Sequence, residues 1–180
     1  MHARLEGALD LLATPIDAAR IVSLLERFHG FHAALEPALK GLVPEALLAP
    51  RRKLPLLQND LRCLGVSEAG LLALPVCRQA ADLCDTRAGA AGALYVMEGS
   101  TLGGRIISRC LQAAPWHPPQ HLQYWNPYGD QTGARWAESL AYLQSLPRAD
   151  ADAIARSAVA TFSVLQAWLL PHSVFSGPAP

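Results

Sequence analysis

Apolar residues recur along nearly the whole chain at the three- and four-residue intervals of a helix face, and no segment alternates with the period of a strand. Leu5, Leu9 and Leu12 mark one face of an opening helix, and His2 lies on that same face. Thr14-Pro-Ile-Asp17 predicts the next helix start, with a capping Thr, Pro in the first turn and an acid after it. That helix, over 17–35, is apolar at Ile21, Leu24, Leu25, Phe28, Phe31 and Leu35. Residues 36–53 are interrupted by Pro37, Gly41, Pro44 and Pro50, which leaves room for short turns only. Helices are predicted over 54–64 and 67–74, and Asp85-Thr86 can cap a long one reaching about residue 112. Residues 113–130 carry Pro115, Pro118, Pro119 and Pro127 and are predicted as loop. A helix over 132–146 turns Trp136, Leu140 and Leu143 inward. The last helix starts at Asp150 or Asp152 and is carried by Ile154, Ala158, Phe162, Leu165 and Leu169. With no repeat and no linker, the pattern predicts one all-α domain over residues 1–175 and a frayed tail over 176–180.

One stretch of this pattern is costly. Gly99, Gly103 and Gly104 fall inside an apolar helical run, where each glycine costs roughly 1 kcal/mol relative to Ala. Gly99 and Gly103 share a face, and a face without side chains lets another body approach the backbone. Four readings compete. The body is another helix; the segment is a phosphate-binding turn; a flat rigid ligand lies against the backbone; or the glycines only kink the helix. The spacing G-x-x-x-G-G fits neither phosphate-loop pattern, and no strand–helix alternation surrounds it.

Composition narrows the classes. Of the 180 residues 51% are hydrophobic and 17% charged, which excludes a disordered chain. The 15 basic and 15 acidic residues cancel, so the electrostatic footprint of a nucleic-acid binder is missing. Residues 88–97 form an uncharged run too short for a bilayer, ended by Glu98. Cys63, Cys77, Cys84 and Cys110 show no C-x-x-C spacing, and the chain opens without a secretory pattern. Free thiols in a reducing cytoplasm are therefore expected.

The run Tyr95-Val-Met-Glu-Gly-Ser-Thr-Leu-Gly-Gly-Arg105 resembles the distal helix of bacterial heme oxygenases, whose pattern is close to Y-V-x-E-G-S-x-L-G-G. His2-Ala-Arg-Leu-Glu6 is similar to the family's H-x-x-L-E at the iron-ligating helix, and Phe31–Pro37 to the F-x-x-x-L-E-P region after it. Residues 128–136 and the late 160–168 stretch also fit, in the right order along nearly the whole chain. The resemblance is closest to the members that accompany bacterial phytochromes.

The resemblance implies a helical bundle that sandwiches b-type heme, both cofactor and substrate, between a proximal and a distal helix. It implies O2-dependent oxidation of heme to biliverdin, CO and iron. Electrons come from an external ferredoxin or reductase, and a bacteriophytochrome is a possible bilin acceptor. His2 matches the iron ligand; the family carries further residues before it, so this sequence opens inside the expected first helix. The H-x-x-L-E pattern recurs at His32, so His29 and His32 stand as alternative ligands, or as a pair of partly exposed helix residues. Gly99 and Gly103, with Gly104 beside them, match the glycines against the heme. Ser100 takes the place where mammalian members carry an Asp that organises waters. Arg135, Tyr95 and, more weakly, Arg105 are candidates for the propionates; Phe162 walls the pocket or is plain core; Glu98 is a structural partner for an Arg. Two other functions stay open: a heme-handling protein without turnover, and a non-heme, thiaminase-like member of the same helical superfamily.

Overall fold

The computed structural model describes residues 17–118 and 122–170. The Asp17 carboxylate accepts from the Ala19 N–H at 3.2 Å and caps α1, Ala18–Leu39. Ile21, Leu25, Phe31 and Leu35 bury its apolar stripe. The helix runs beyond residue 35 despite Pro37, because Leu39 is fully buried and that burial outweighs the one backbone bond proline cannot make. A short α2, Glu45–Leu48, passes into a 3-10 turn, Ala49–Arg51. Then come α3, Leu54–Cys63, and α4, Glu68–Leu72, whose cap Ser67 accepts from Gly70 N–H at 3.1 Å. The helix α5, Arg78–Asp82, was not in the sequence pattern; five residues are too few to show a period.

Thr86 caps α6, Arg87–Gly99, by accepting from Gly89 N–H at 3.0 Å. It is followed by α7, Thr101–Gln112; a 3-10 turn, Gly129–Gln131; α8, Thr132–Ser145; and α9, Ala151–Leu169. Among the described residues there is no strand, and the fold is all-α. No described helix is long and apolar enough to cross a membrane.

The centre of the bundle is α6, buried on nearly all sides from Gly89 to Leu94. Its small residues let α9 come close. A Cβ on Gly92 would lie 2.6 Å from Ala158 N and Ile154 O, and Ser157 Oγ donates to the Gly89 carbonyl at 2.8 Å. Close helix-on-helix packing therefore exists on this helix, two turns before the glycines that the sequence singled out. On the other sides α6 meets α8, while α1 packs on α3 and α5.

The long helix expected over residues 86–112 is two helices. The break falls at Ser100, directly after Gly99. Ser100 Oγ donates to Met97 O and Thr101 Oγ1 to Glu98 O, each at 2.7 Å. Hydroxyls bonding back three residues weaken the helical ladder where a glycine has already loosened it.

All four cysteines are free thiols. Burial, helped by the Asp85 carboxylate, pushes the Cys84 thiol up to about 12. The folded chain thus holds this proton where the unfolded chain loses it, near pH 8.5. Stability is expected to fall as pH rises from about 9 toward 12. Urea midpoints for the parent at pH 7.5 and 10 should differ more than those for Cys84→Ala; equal differences would contradict the assignment.

Candidate functional site

The glycines of the α6–α7 segment answer to different neighbours. A Cβ on Gly104 would lie 2.0 Å from the carbonyl oxygen of Trp125, so this glycine is required by the loop that crosses it. That contact, not an open face, explains why Gly104 is glycine. Gly99 differs. It is half-buried, and a Cβ there would meet only the Trp136 ring, at 3.7 Å, an ordinary contact. No atom of the described chain requires glycine at this position.

Around Gly99 runs an uncovered apolar stripe. Tyr95, Leu102 and Ile106 are 44%, 47% and 57% exposed, and Gly99 and Gly103 fall between them on the same helical face. The Tyr95 ring packs on Trp136 with centroids 5.4 Å apart. Sequence periodicity predicts Trp136 inward; in the structure it is half-buried and borders the stripe.

Behind the break lies a cavity of about 10 Å³, walled by Phe28, Phe31, His32, Met97, Ser100 and Tyr124, among others. His32 and His29 are buried, at 3% and 7% exposure, which corrects the expectation of partly exposed side chains. The α1 stripe is wider than the apolar pattern showed: His29 and His32 extend it, and His32 does so with internal partners. His32 Nδ1 lies 3.1 Å from Glu36 Oε1, and its Nε2 lies 3.4 Å from the Tyr124 hydroxyl. Burial holds the His32 imidazole below its ordinary value, against the upward pull of Glu36, so it is neutral at pH 7. Burial also raises the Tyr124 phenol well above its usual range. Among the described residues, His29 has no hydrogen-bond partner on either ring nitrogen.

Glu98 is fully buried one residue before Gly99. Its Oε1 accepts from Lys53 Nζ at 2.6 Å and from the Tyr128 hydroxyl at 2.8 Å; Arg51 Nε stands 3.2 Å from Oε2. The partnership with an arginine expected from sequence is present, with a lysine added. Arg51 also donates to Ser139 Oγ, to the Arg135 carbonyl and to Glu138, so it ties α8 to the cluster. Arg51 and Lys53 were missed in the sequence. The one signal available was the run Arg51-Arg52-Lys53 at the end of a proline-broken segment in a chain poor in charge. Arg135 pairs with Glu138 at 3.1 Å, and Arg105 pairs with Asp130. Phe162 is half-buried on α9 and packs on the core. His2 lies outside the described residues, as do Leu5, Leu9, Leu12 and Thr14.

No family model matches the chain. A heme oxygenase of Xanthomonas campestris pv. campestris (strain 8004) is 34% identical over 156 residues, which cover 82% of this chain and 88% of that protein. Likeness at that level across nearly all of both chains, on an all-α fold whose α6 breaks beside an uncovered glycine, settles the kinship: the chain belongs to the heme oxygenase family.

Proposed function

We propose that the protein binds b-type heme against the Gly99–Gly103 face and cleaves it to biliverdin, CO and iron, using O2 and electrons from an external donor. The observation that carries this reading is Gly99: the last residue of α6, a glycine that no described neighbour requires, centred on an exposed apolar stripe. A flat macrocycle fits such a face, because bare backbone can approach the ring while Tyr95, Leu102 and Ile106 give apolar contact. The heme itself supplies the iron that activates O2 and the porphyrin edge that is oxidised.

The chain's residues then have distinct tasks. His2 holds the iron, by the family pattern of its sequence. The break at Ser100 lies beside the face that would take the ring, and the back-bonded hydroxyls of Ser100 and Thr101 hold the Met97 and Glu98 carbonyls in place. Gly103 keeps the next turn bare, and Gly104 seats that turn on the Trp125 backbone. Arg135 pairs with a half-exposed Glu138 through one nitrogen, which leaves N–H donors for a propionate; Tyr95 is a second donor at the rim. Phe162 backs the pocket from α9. Its likeness to phytochrome-associated members makes a bilin-accepting photoreceptor the partner of choice for the product.

Adding heme to the protein tests the reading. A ferric Soret band is expected, converting under reductant and O2 to biliverdin absorbance with release of CO. A band without conversion would identify a heme-handling protein instead, and no band a non-heme relative. His2→Ala should abolish the six-coordinate ferric spectrum. An unchanged spectrum would overturn the His2 assignment and move it to α1, where His29 is the histidine with both ring nitrogens unpartnered.

A further inference from the structure

In a chain with 17% charged residues, three charges are buried at one point: Arg51, Lys53 and Glu98 are 1%, 2% and 0% exposed. Taking such ions out of water is costly, and well-packed apolar residues often serve stability equally well. The cluster therefore calls for a reason beyond folding. Its position supplies one, since Glu98 is the residue before Gly99 on the last turn of α6. Lys53 is the link to the rest of the site. Its ammonium donates to Glu98 Oε1, and its backbone N–H donates to Glu36 Oε1 at 2.7 Å, the same oxygen that meets His32.

The charged and titratable groups facing the cluster come from every element around it. They are His32 and Glu36 on α1, Arg51 and Lys53 before α3, Tyr128 in the loop, and Arg135 and Glu138 on α8. Two buried cations face two buried carboxylates, with Glu138 half-exposed at the edge. Neutralising Glu98 leaves a buried positive excess beside Gly99; neutralising Lys53 leaves a negative one. Buried charges escape most screening by salt, so either change reaches the neighbouring space.

We propose that Lys53 and Glu98 are positioning residues for the heme face: together they pin the α6–α7 break and set the electric field at the Gly99–Ser100 backbone. This rests on the heme-binding reading above. A field has a sign, and packing does not, so the two variants separate the roles.

The experiment compares the heme complexes of the parent, Glu98→Gln, Lys53→Met and the double variant, with the melting midpoint of each apo-protein alongside. The reading is the pH midpoint of the ferric acid–alkaline spectral transition. Its alkaline form carries one proton less, so added positive charge favours it. Glu98→Gln should lower the midpoint by about one pH unit, the effect of a unit charge at about 10 Å in a medium of effective dielectric constant about 20. Lys53→Met should raise it by a similar amount. The double variant, balanced again, should return to within about 0.3 unit of the parent and should fold even where a single variant does not. Shifts of the same sign, no shift beside a lowered apo melting midpoint, or a displaced double variant would each overturn the proposal and leave a purely structural cluster. A parent that takes up no heme sinks the heme reading, and this inference with it.

Discussion

Gly99→Ala is expected to raise the apo melting midpoint by about 2–4 °C and to cut biliverdin formation at least tenfold. The first half follows from helix propensity: Gly99 ends α6 one residue before α7 begins, and Ala is favoured over Gly by up to roughly 1 kcal/mol in a helix, a few degrees for a chain of this size. Space permits it, because the added methyl would meet only the Trp136 ring at 3.7 Å. The second half follows from the bare face. A methyl standing off the helix holds a flat ring about an ångström or more further from the backbone, and a misplacement of that order costs on the order of a hundredfold in rate. Gly104→Ala and Gly92→Ala should behave in the opposite way. Their methyls would sit 2.0 Å from the Trp125 carbonyl oxygen and 2.6 Å from backbone atoms of α9, and backbone yields poorly. Each should lose about 3 kcal/mol of stability by urea denaturation. Normal turnover by Gly99→Ala, or its failure to fold, would remove the main support for the heme face.

The contrast among these glycines shows what the sequence carried and what it did not. Their number and spacing in a helical run were legible because interior glycine is costly wherever it occurs. Which neighbour each one serves was not, since Trp125, Trp136 and Ser157 come from elements far along the chain. The cap at Thr86 was readable, being local chemistry between a hydroxyl and an N–H three residues on. The break at Ser100 escaped because the apolar pattern runs through it unchanged; only the hydroxyl back-bonds of Ser100 and Thr101 betray it. Partial exposure was one expectation for His32, since beyond Glu36 no partner for it can be read in sequence. The burial of His32 and Glu36 depends on Tyr124 and on the Lys53 and Leu54 N–H groups. Sequence patterns report what a residue does to its own helix, and the candidate site is built mostly from what arrives there from elsewhere.

The segment that arrives most consequentially is the loop over 122–128, and one carboxylate anchors it. Asp60, fully buried on the apolar side of α3, accepts from the Gln123 N–H with both oxygens at 2.9 Å and from the Tyr124 N–H at 2.8 Å. From that anchor the loop sends Tyr124 to the cavity, the Trp125 carbonyl to Gly104, and Tyr128 to Glu98. Asp60→Ala strands two backbone donors and opens a void, and each unpaired buried group costs about 1–3 kcal/mol. A loss of about 3–5 kcal/mol is expected in urea denaturation, together with a red shift of Trp125 fluorescence as the loop lifts. Asp60→Asn keeps one accepting oxygen but turns an amide N–H₂ toward the donors, so its loss should fall between those of the parent and the alanine variant. The acid limb separates this anchor from its neighbour Glu36. Burial raises the Asp60 carboxyl, with the two backbone N–H groups pulling it down, so the folded chain holds that proton more firmly than the unfolded one. Asp60 therefore adds no acid lability. At Glu36 burial also pushes upward, but His32 and the backbone N–H groups of Lys53 and Leu54 bring it below the usual range. Its contribution is present above the unfolded value and lost as pH falls through the folded one. Glu36→Gln should flatten the fall in stability below about pH 4.5, whereas Asp60→Asn should leave it at least as steep as in the parent, because the proton that Asp60 holds in the fold opposes that fall. An equal flattening by both variants would show that the fold lowers the Asp60 carboxyl, as it does Glu36, and does not raise it.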